Sequence, residues 1–404
     1  MTAAFAIRAR WVFPVDRPPI DGGVVSIREG RIEAVGQNTS GQPPRDLGDV
    51  ALLPGLINAH THLQFSLLRH PLGRPGIPFA DWIRQVIDFL RQSLPAGNDS
   101  ALEAGLAESR AAGVAAVGEI AIRDWPSDLP QPPADMSVVV FRELLGLSEE
   151  RVGPLADLAA AHVEQSRAGQ VAGLSPHAPY TVHPEVLRRA CELSAARQVP
   201  VAMHLAETRE ELELLESHSG PLVELLGSLG AWQPTALSRG LRPLDYLRTL
   251  ATAHRALVIH GNYLAADEIE FAAAHRDRMS VVYCPRTHAF FRHERYPLAK
   301  MRDAGVRVAV GTDSRASNPD LNLWSELRHI AEHHRGVSPD EILRMGTLAG
   351  AEALGLDGDL GSITPGKSAR LVMASLPAGG QAALAAILES ASTILPVHLS
   401  HDEN

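Results

Sequence analysis

The sequence predicts an α/β fold: a (β/α)8 TIM-like barrel with a small β-sandwich-like domain built from both chain ends. Three observations lead there. From residue 51 onward about eight short apolar runs alternate with helical patterns, the way βα units around a parallel sheet read. Ionisable or metal-ligating residues follow nearly every run, where a barrel gathers its reactive groups. Both ends of the chain carry β-rich pieces too short to bury a core alone. A doubly wound open sheet is the competing topology.

In chain order, residues 5–35 alternate β-rich pieces with turns at Asp21-Gly22-Gly23 and Glu29-Gly30. The barrel runs are then Leu52–Ile57, Val114–Val117, Ser137–Phe141, Val171–Leu174, Pro200–Met203, Ala256–Ile259, Ser280–Tyr283 and Val306–Val310. Phe79-Ala80-Asp81-Trp82-Ile83 continues through Val86, Ile87 and Leu90 at helical spacing, a helix expected beside the barrel mouth. Residues 99–113 open on Asp99-Ser100 and close on Gly113, a capped helix. Ser338-Pro339-Asp340-Glu341 combines an N-cap serine, a first-turn proline and a capping-box glutamate. Residues 361–374 repeat the style of the N-terminus. Residues 1–53 and 358–404 are therefore assigned to one composite β-domain, and 54–357 to the barrel. The stretch 376–404, with an Ala/Leu helix pattern and the polar end SHDEN, is expected to be an appendage.

Composition limits the function classes. At 404 residues and 45% hydrophobic content the chain can bury a sizeable core. Its formal charge of -10, without any dense Lys/Arg run, would repel a polyanion, so a small-molecule substrate is expected and nucleic acid is not. Arginines break the apolar start of the chain and no later stretch has membrane-span length, which reads as a cytoplasmic protein without a membrane partner. A homo-oligomer stays open. Cys191 and Cys284 are expected to be reduced core thiols. Lysine occurs only at Lys300 and Lys367, so no lysine before residue 300 can form a Schiff base or bridge two metals.

His60 and His62 follow the first run, and strand alternation turns both to one face. Glu119 follows the second run, Arg142 and Glu143 the third, His177 the fourth, His204 and Glu207 the fifth. His260 follows the sixth, Cys284, Arg286 and His288 the seventh, and Asp313 the eighth. Alone, H-x-H is a frequent accident, His260 reads as a core histidine and Asp313 as a turn cap. His329, His333 and His334 read as an exposed helix face, and His398 and His401 as tail residues. Order and convergence carry the chemistry, because residues at the ends of strands one, five and eight meet around one axis. Three neutral imidazoles, His60, His62 and His204, with the Asp313 carboxylate make a site for one divalent ion, Zn²⁺ or Fe²⁺, with one position left for water. Such an ion lowers the pKa of its water from 15.7 toward ~7. Glu207 and His260 then supply the proton traffic that hydrolysis requires. The chain lacks G-x-S-x-G, H-E-x-x-H and P-C-x-x-C, which removes the competing serine and other zinc chemistries.

PGLINAHTHL, MHLAE, VIHGN and GTDS, in that order, resemble the amidohydrolase superfamily along essentially the whole chain. The missing strand-four lysine points to its mononuclear branch of deaminases and chlorohydrolases. The resemblance implies that Glu207 shuttles a proton to the substrate ring, while His260 and Asp313 orient and deprotonate the attacking water. HAPYT (177–181), CPRTHAFF (284–291) and GTDSRASNPDLNLWSELR (311–328) look most like aminodeoxyfutalosine deaminases of menaquinone biosynthesis. That implies conversion of aminodeoxyfutalosine to futalosine and ammonia; S-adenosylhomocysteine, methylthioadenosine or adenosine deamination and triazine or cyclic-amide hydrolysis are the alternatives. A binding protein without catalysis is disfavoured by the intact ligand set. His177 resembles the family's substrate-contacting histidine. His288 and Trp82 are further expected contacts, Trp82 by stacking, and the benzoate of aminodeoxyfutalosine calls for an arginine from among Arg286, Arg142, Arg315 and Arg69. Two departures stand out: Thr287 occupies a serine position expected to touch substrate, and Ala369-Arg370-Leu371 replaces Ala-Asp-Leu in the final β-segment.

Overall fold

The computed structural model describes residues 5–38, 43–93, 99–123, 125, 135–164, 170–376, 384–389 and 393–397. The first seven strands are short: β1 (Phe5–Arg8), β2 (Trp11–Val12), β3 (Ile20–Asp21), β4 (Val24–Arg28), β5 (Arg31–Gly36), β6 (Arg45–Asp46) and β7 (Val50–Pro54). Eight barrel strands follow: β8 (Leu56–Thr61), β9 (Val114–Ala121), β10 (Ser137–Leu144), β11 (Gln170–Pro176), β12 (Pro200–Leu205), β13 (Arg255–His260), β14 (Met279–Tyr283) and β15 (Val308–Val310). The last two are β16 (Leu371–Ser375) and β17 (Ile394–Pro396).

Strands β8 to β15 pair in chain order as one parallel sheet. A bridge between Thr61 and Asp313 brings its two edges together, so the sheet is a nearly closed barrel. Both faces are covered, which is why these strands read as continuous apolar runs. Alternate residues fill the two sides. Ile57, Val139, Phe141, Leu257 and Val282 form the inner core with Ala351 and Leu354 of the helix Leu348–Leu354. Val138, Val140, Val258 and Val281 pack outward in the larger core that includes the surrounding helices. The expected helices are present at Phe79–Ser93 and Asp99–Ala111. At Pro339–Met345 the capping box is complete: the Glu341 N–H donates to Ser338 Oγ and the Ser338 N–H to Glu341 Oε2, at 3.3 and 2.8 Å.

The chain ends form two further sheets, in the orders β5-β4-β1-β6 and β17-β16-β7-β2-β3. Ile7, Val25, Ile27, Leu52 and Ile363 fill the core they share. Three expectations need correction here. The run Leu52–Ile57 is not one strand: β7 pairs with β16 in the terminal sheet, and the barrel begins only at Leu56. Gly55 makes the crossing, where a side chain would place Cβ 2.6 Å from Ala115 Cβ and 3.1 Å from the Arg370 carbonyl. Nor is the stretch after 376 a loose appendage where it is described, because β17 pairs with β16 and the helix Leu384–Glu389 buries Leu384, Ile387 and Leu388. Residues 398–404, with His398 and His401, lie outside the described residues. Arg370, at the departure from the family pattern, donates to the Ala115 carbonyl and the Ser137 hydroxyl and so ties the terminal sheet to β9 and β10. His334 is buried rather than exposed, 3.2 Å from the Tyr283 hydroxyl. Cys191 and Cys284 are free, buried thiols. Among the described residues no helix is long and apolar enough to cross a membrane.

Candidate metal centre and active site

The apolar runs stop short of the strands they mark. β8, β12 and β13 continue through His60, His204 and His260, because the C-terminal end of a barrel can hold polar side chains that converge on one another. Three non-glycine residues just there adopt left-handed backbone: Ala206 at φ +53°, His260 at +68° and Asp313 at +56°. Each such residue costs roughly 1–2 kcal/mol, so something must hold it. The Ala206 N–H donates to Glu211 Oε1 at 2.8 Å. The Tyr296 hydroxyl donates to the His260 carbonyl at 2.9 Å, and the Thr61 hydroxyl to the Asp313 carbonyl at 3.0 Å.

The ring nitrogens and carboxylate then meet. His62 Nε2 lies 3.3 Å from His204 Nε2, and Asp313 Oδ1 lies 3.6 Å from His60 Nε2 and 3.7 Å from His62 Nε2. Four donors held about 2.1 Å from one cation at tetrahedral angles would stand about 3.4 Å apart, which matches these separations. His60 is fully buried and neither ring nitrogen has a hydrogen-bond partner, an arrangement that makes sense if one lone pair serves a cation. His204 Nδ1 donates to the His177 carbonyl at 3.0 Å, which leaves Nε2 as the free lone pair. Burial lowers the pKa of all three imidazoles, His204 to about 4 and His60 and His62 well below their ordinary value, so they are neutral donors. The residues fit a divalent ion of borderline softness. The other oxygen of Asp313 accepts from Ser317, whose hydroxyl meets that of Thr287 at 3.0 Å. Thr287 thus supports Asp313 and is absent from the cavity lining.

His260 closes the ring of donors, its nitrogen within 4.8 Å of those of His60 and His204. Its Nε2 is also 3.4 Å from Glu207 Oε1. Burial, then the charge of Asp313, pushes the Glu207 carboxyl well above the usual carboxylate range. Its backbone is pinned from two sides: the Glu207 N–H donates to Glu211 Oε2, and Asn262 Nδ2 donates to its carbonyl, at 2.8 and 2.9 Å. Glu211 went unnoticed in the sequence, although its place four residues after Glu207 on the next helix is the signal that could have marked it.

A cavity of about 420 Å³ opens above these groups. His177 and Trp82, both expected contacts, line it. Trp82 Nε1 donates to the Ala316 carbonyl and its ring stacks on Phe79, with centroids 5.6 Å apart. Arg142, Arg286 and His288 do not line it. Along β10 the inward residues are Val139, Phe141 and Glu143, so Arg142 falls on the outer side, where Nη1 donates to the Ala121 carbonyl. Glu143 takes the inner place instead, 3.9 Å from His177 Nε2, and burial pushes its carboxyl up to about 7. Arg286 is committed to Glu326 at 2.6 Å and Asp320 at 2.5 Å. His288 packs edge-on against Tyr283 and Tyr296 behind the site. Arg315 pairs with Glu108 at 2.7 Å, and Arg69 is exposed away from the lining.

A 5-methylthioadenosine/S-adenosylhomocysteine deaminase of Moorella thermoacetica is 30% identical, covering 90% of this chain and 84% of its own length. The aminodeoxyfutalosine deaminase of Deinococcus radiodurans is 28% identical over 75% of this chain and 73% of its own. The crystal structure of Helicobacter pylori aminofutalosine deaminase in complex with methylthio-coformycin shares the fold, with a TM-score of 0.82, 23% identity and 95% of each chain covered. The Amidohydrolase family pattern matches residues 51–397. Taken with the identity to the Moorella enzyme over nine-tenths of the chain, that match means this protein belongs to the amidohydrolase family.

Proposed function

We propose that the protein is a metal-dependent hydrolase that deaminates an adenine nucleoside carrying a substituent on its ribose. The observation that carries this reading is the meeting of His60, His62, His204 and Asp313 at the base of a cavity, with Glu207 beside His260 at its edge. His60, His62, His204 and Asp313 would hold the cation, zinc or iron by donor type. When bound, it supplies a water that is nucleophilic at neutral pH.

The remaining chemistry belongs to side chains. Glu207, kept protonated by burial, donates to the ring nitrogen next to the carbon that bears the amine. The attacking oxygen bonds to that carbon, the C–N bond breaks, and the amine leaves as ammonia with a proton taken from the water. His260 orients the attacking oxygen through its hydrogen bond, the Asp313 carboxylate accepts that proton from the water and passes it to the departing amine, and the second water proton returns to Glu207 as the carbonyl forms. Neutral His177 faces the cavity as a contact for the purine. The resemblance of residues 177–181, 284–291 and 311–328 supports aminodeoxyfutalosine as the substrate, as does the Deinococcus relative. The Moorella relative supports methylthioadenosine or S-adenosylhomocysteine equally.

The test is a substrate panel on metal-replete and chelated enzyme, followed by the ultraviolet change on deamination. Loss of turnover on exhaustive chelation and its return with added zinc or iron are expected. Turnover confined to triazines or cyclic amides would replace the nucleoside reading with a chlorohydrolase or amidase one.

A further inference from the structure

We infer that the outer part of the cavity selects, on the ribose side of the substrate, for an uncharged apolar group and against a carboxylate. This rests on the deaminase reading above and, within it, favours methylthioadenosine over the carboxylate-bearing aminodeoxyfutalosine and S-adenosylhomocysteine. The cavity has two unlike ends. Its floor carries the buried ligand cluster and Glu207, whereas Leu145 and Leu229, 49% and 38% exposed, mark its mouth. In adenosine the amine and the ribose sit on opposite sides of the purine. An amine placed at the floor therefore sends the ribose and its substituent toward the mouth.

The wall they meet is hydrocarbon. The helix Phe79–Ser93 contributes Trp82, Ile83, Val86, Ile87 and Leu90, three and four residues apart on one face. The helix Pro221–Ser228, which packs beside it, and its C-cap contribute Leu222, Leu225, Leu226 and Leu229. Among the described residues, none lining the cavity is a lysine or an arginine. Arginines expected as carboxylate partners, or close to lining residues in sequence, point elsewhere: Arg286 to Asp320 and Glu326, Arg315 to Glu108, Arg142 to the outer side of β10, Arg209 to Glu294 and Arg84 to Asp81. The ionisable groups that do line it are carboxyls, histidines and the Tyr180 phenol. A carboxylate on the substrate would lose its water beside leucines and gain no cation. An apolar group of the same length gains roughly fourfold in affinity per buried methylene.

The experiment compares kcat/KM for adenosine, its 5′-butylthio analogue, and a 5′-carboxypropylthio analogue with its methyl ester. We expect the butylthio compound to exceed adenosine at least tenfold, and the acid to fall at least tenfold below its ester. The corresponding inosine derivatives, which cannot be deaminated, should follow the same order as competitive inhibitors. Leu229→Arg places a cation at the half-exposed mouth and should narrow the gap between acid and ester through KM. Deamination of adenosine with the acid equal to or better than its ester overturns this inference and leaves the deaminase reading standing. An L229R enzyme with an unchanged gap overturns the placement of the substituent at the mouth. Failure to turn over any adenine nucleoside overturns the deaminase reading itself.

Discussion

Glu207 and Arg286 show how differently single residues express themselves. Glu207 sits three residues after His204, and Glu211 and Asn262 hold its backbone at the edge of the cluster. Glu207→Gln keeps the hydrogen-bonding shape but removes the exchangeable proton, so we expect retained metal, measured by elemental analysis, and turnover lowered by about 10²–10⁴-fold. Undiminished turnover would remove the shuttle from the scheme. Arg286 also follows a barrel strand, yet its guanidinium is used up by Glu326, forty positions along the chain, and by Asp320. No local pattern announces such a partner, because ion pairing depends on which helix packs next to which. Arg142 was illegible for a different reason. Counting at a period of two from Phe141, which the structure turns inward, puts Glu143, not Arg142, inside the barrel, and the continuous apolar run Val138–Phe141 gives no sign of which face that is.

At the scale of elements, the strand ends matter more than the strands. The apolar runs located all eight barrel strands but ended at the first polar residue, because periodicity registers apolar burial and the site is buried polarity. The three left-handed residues at these ends were also invisible, since alanine disfavours positive φ and the enrichment of histidine and aspartate there is too weak to mark a position. They stand because neighbouring elements supply partners, as Tyr296 does for His260. Tyr296 stacks on Tyr283 at 3.7 Å, so its ring position survives loss of the hydroxyl. Tyr296→Phe should therefore fold normally, keep its metal and lose kcat with little change in KM. A variant with wild-type kcat would show that packing alone orients His260.

Across the whole molecule, we propose the division at residues 53/54 and 357/358 as one of topology rather than of independent folding. Ala51, Leu53, Val372, Ile387 and Leu388 belong to the same buried core as the outer faces of the barrel strands. Cutting them away exposes that surface, and the Arg370 contacts to Ala115 and Ser137 go with it. A fragment of residues 54–357 should aggregate, and the full chain should unfold in one calorimetric transition. A soluble, monomeric fragment with its own cooperative transition would mean two independent domains.

The sequence by itself determined the alternation of strand and helix, the order in which ligand-type residues arrive, and the absence of any lysine that could bridge two metals. These are local or additive properties, legible because burial imposes a period and a barrel sends every strand end to one rim. Only the tertiary structure decided which side chains share the cavity, and that it is walled by two apolar helix faces with no arginine among its described lining residues. A charge's partner and a side chain's exposure are set by residues brought near from far along the chain.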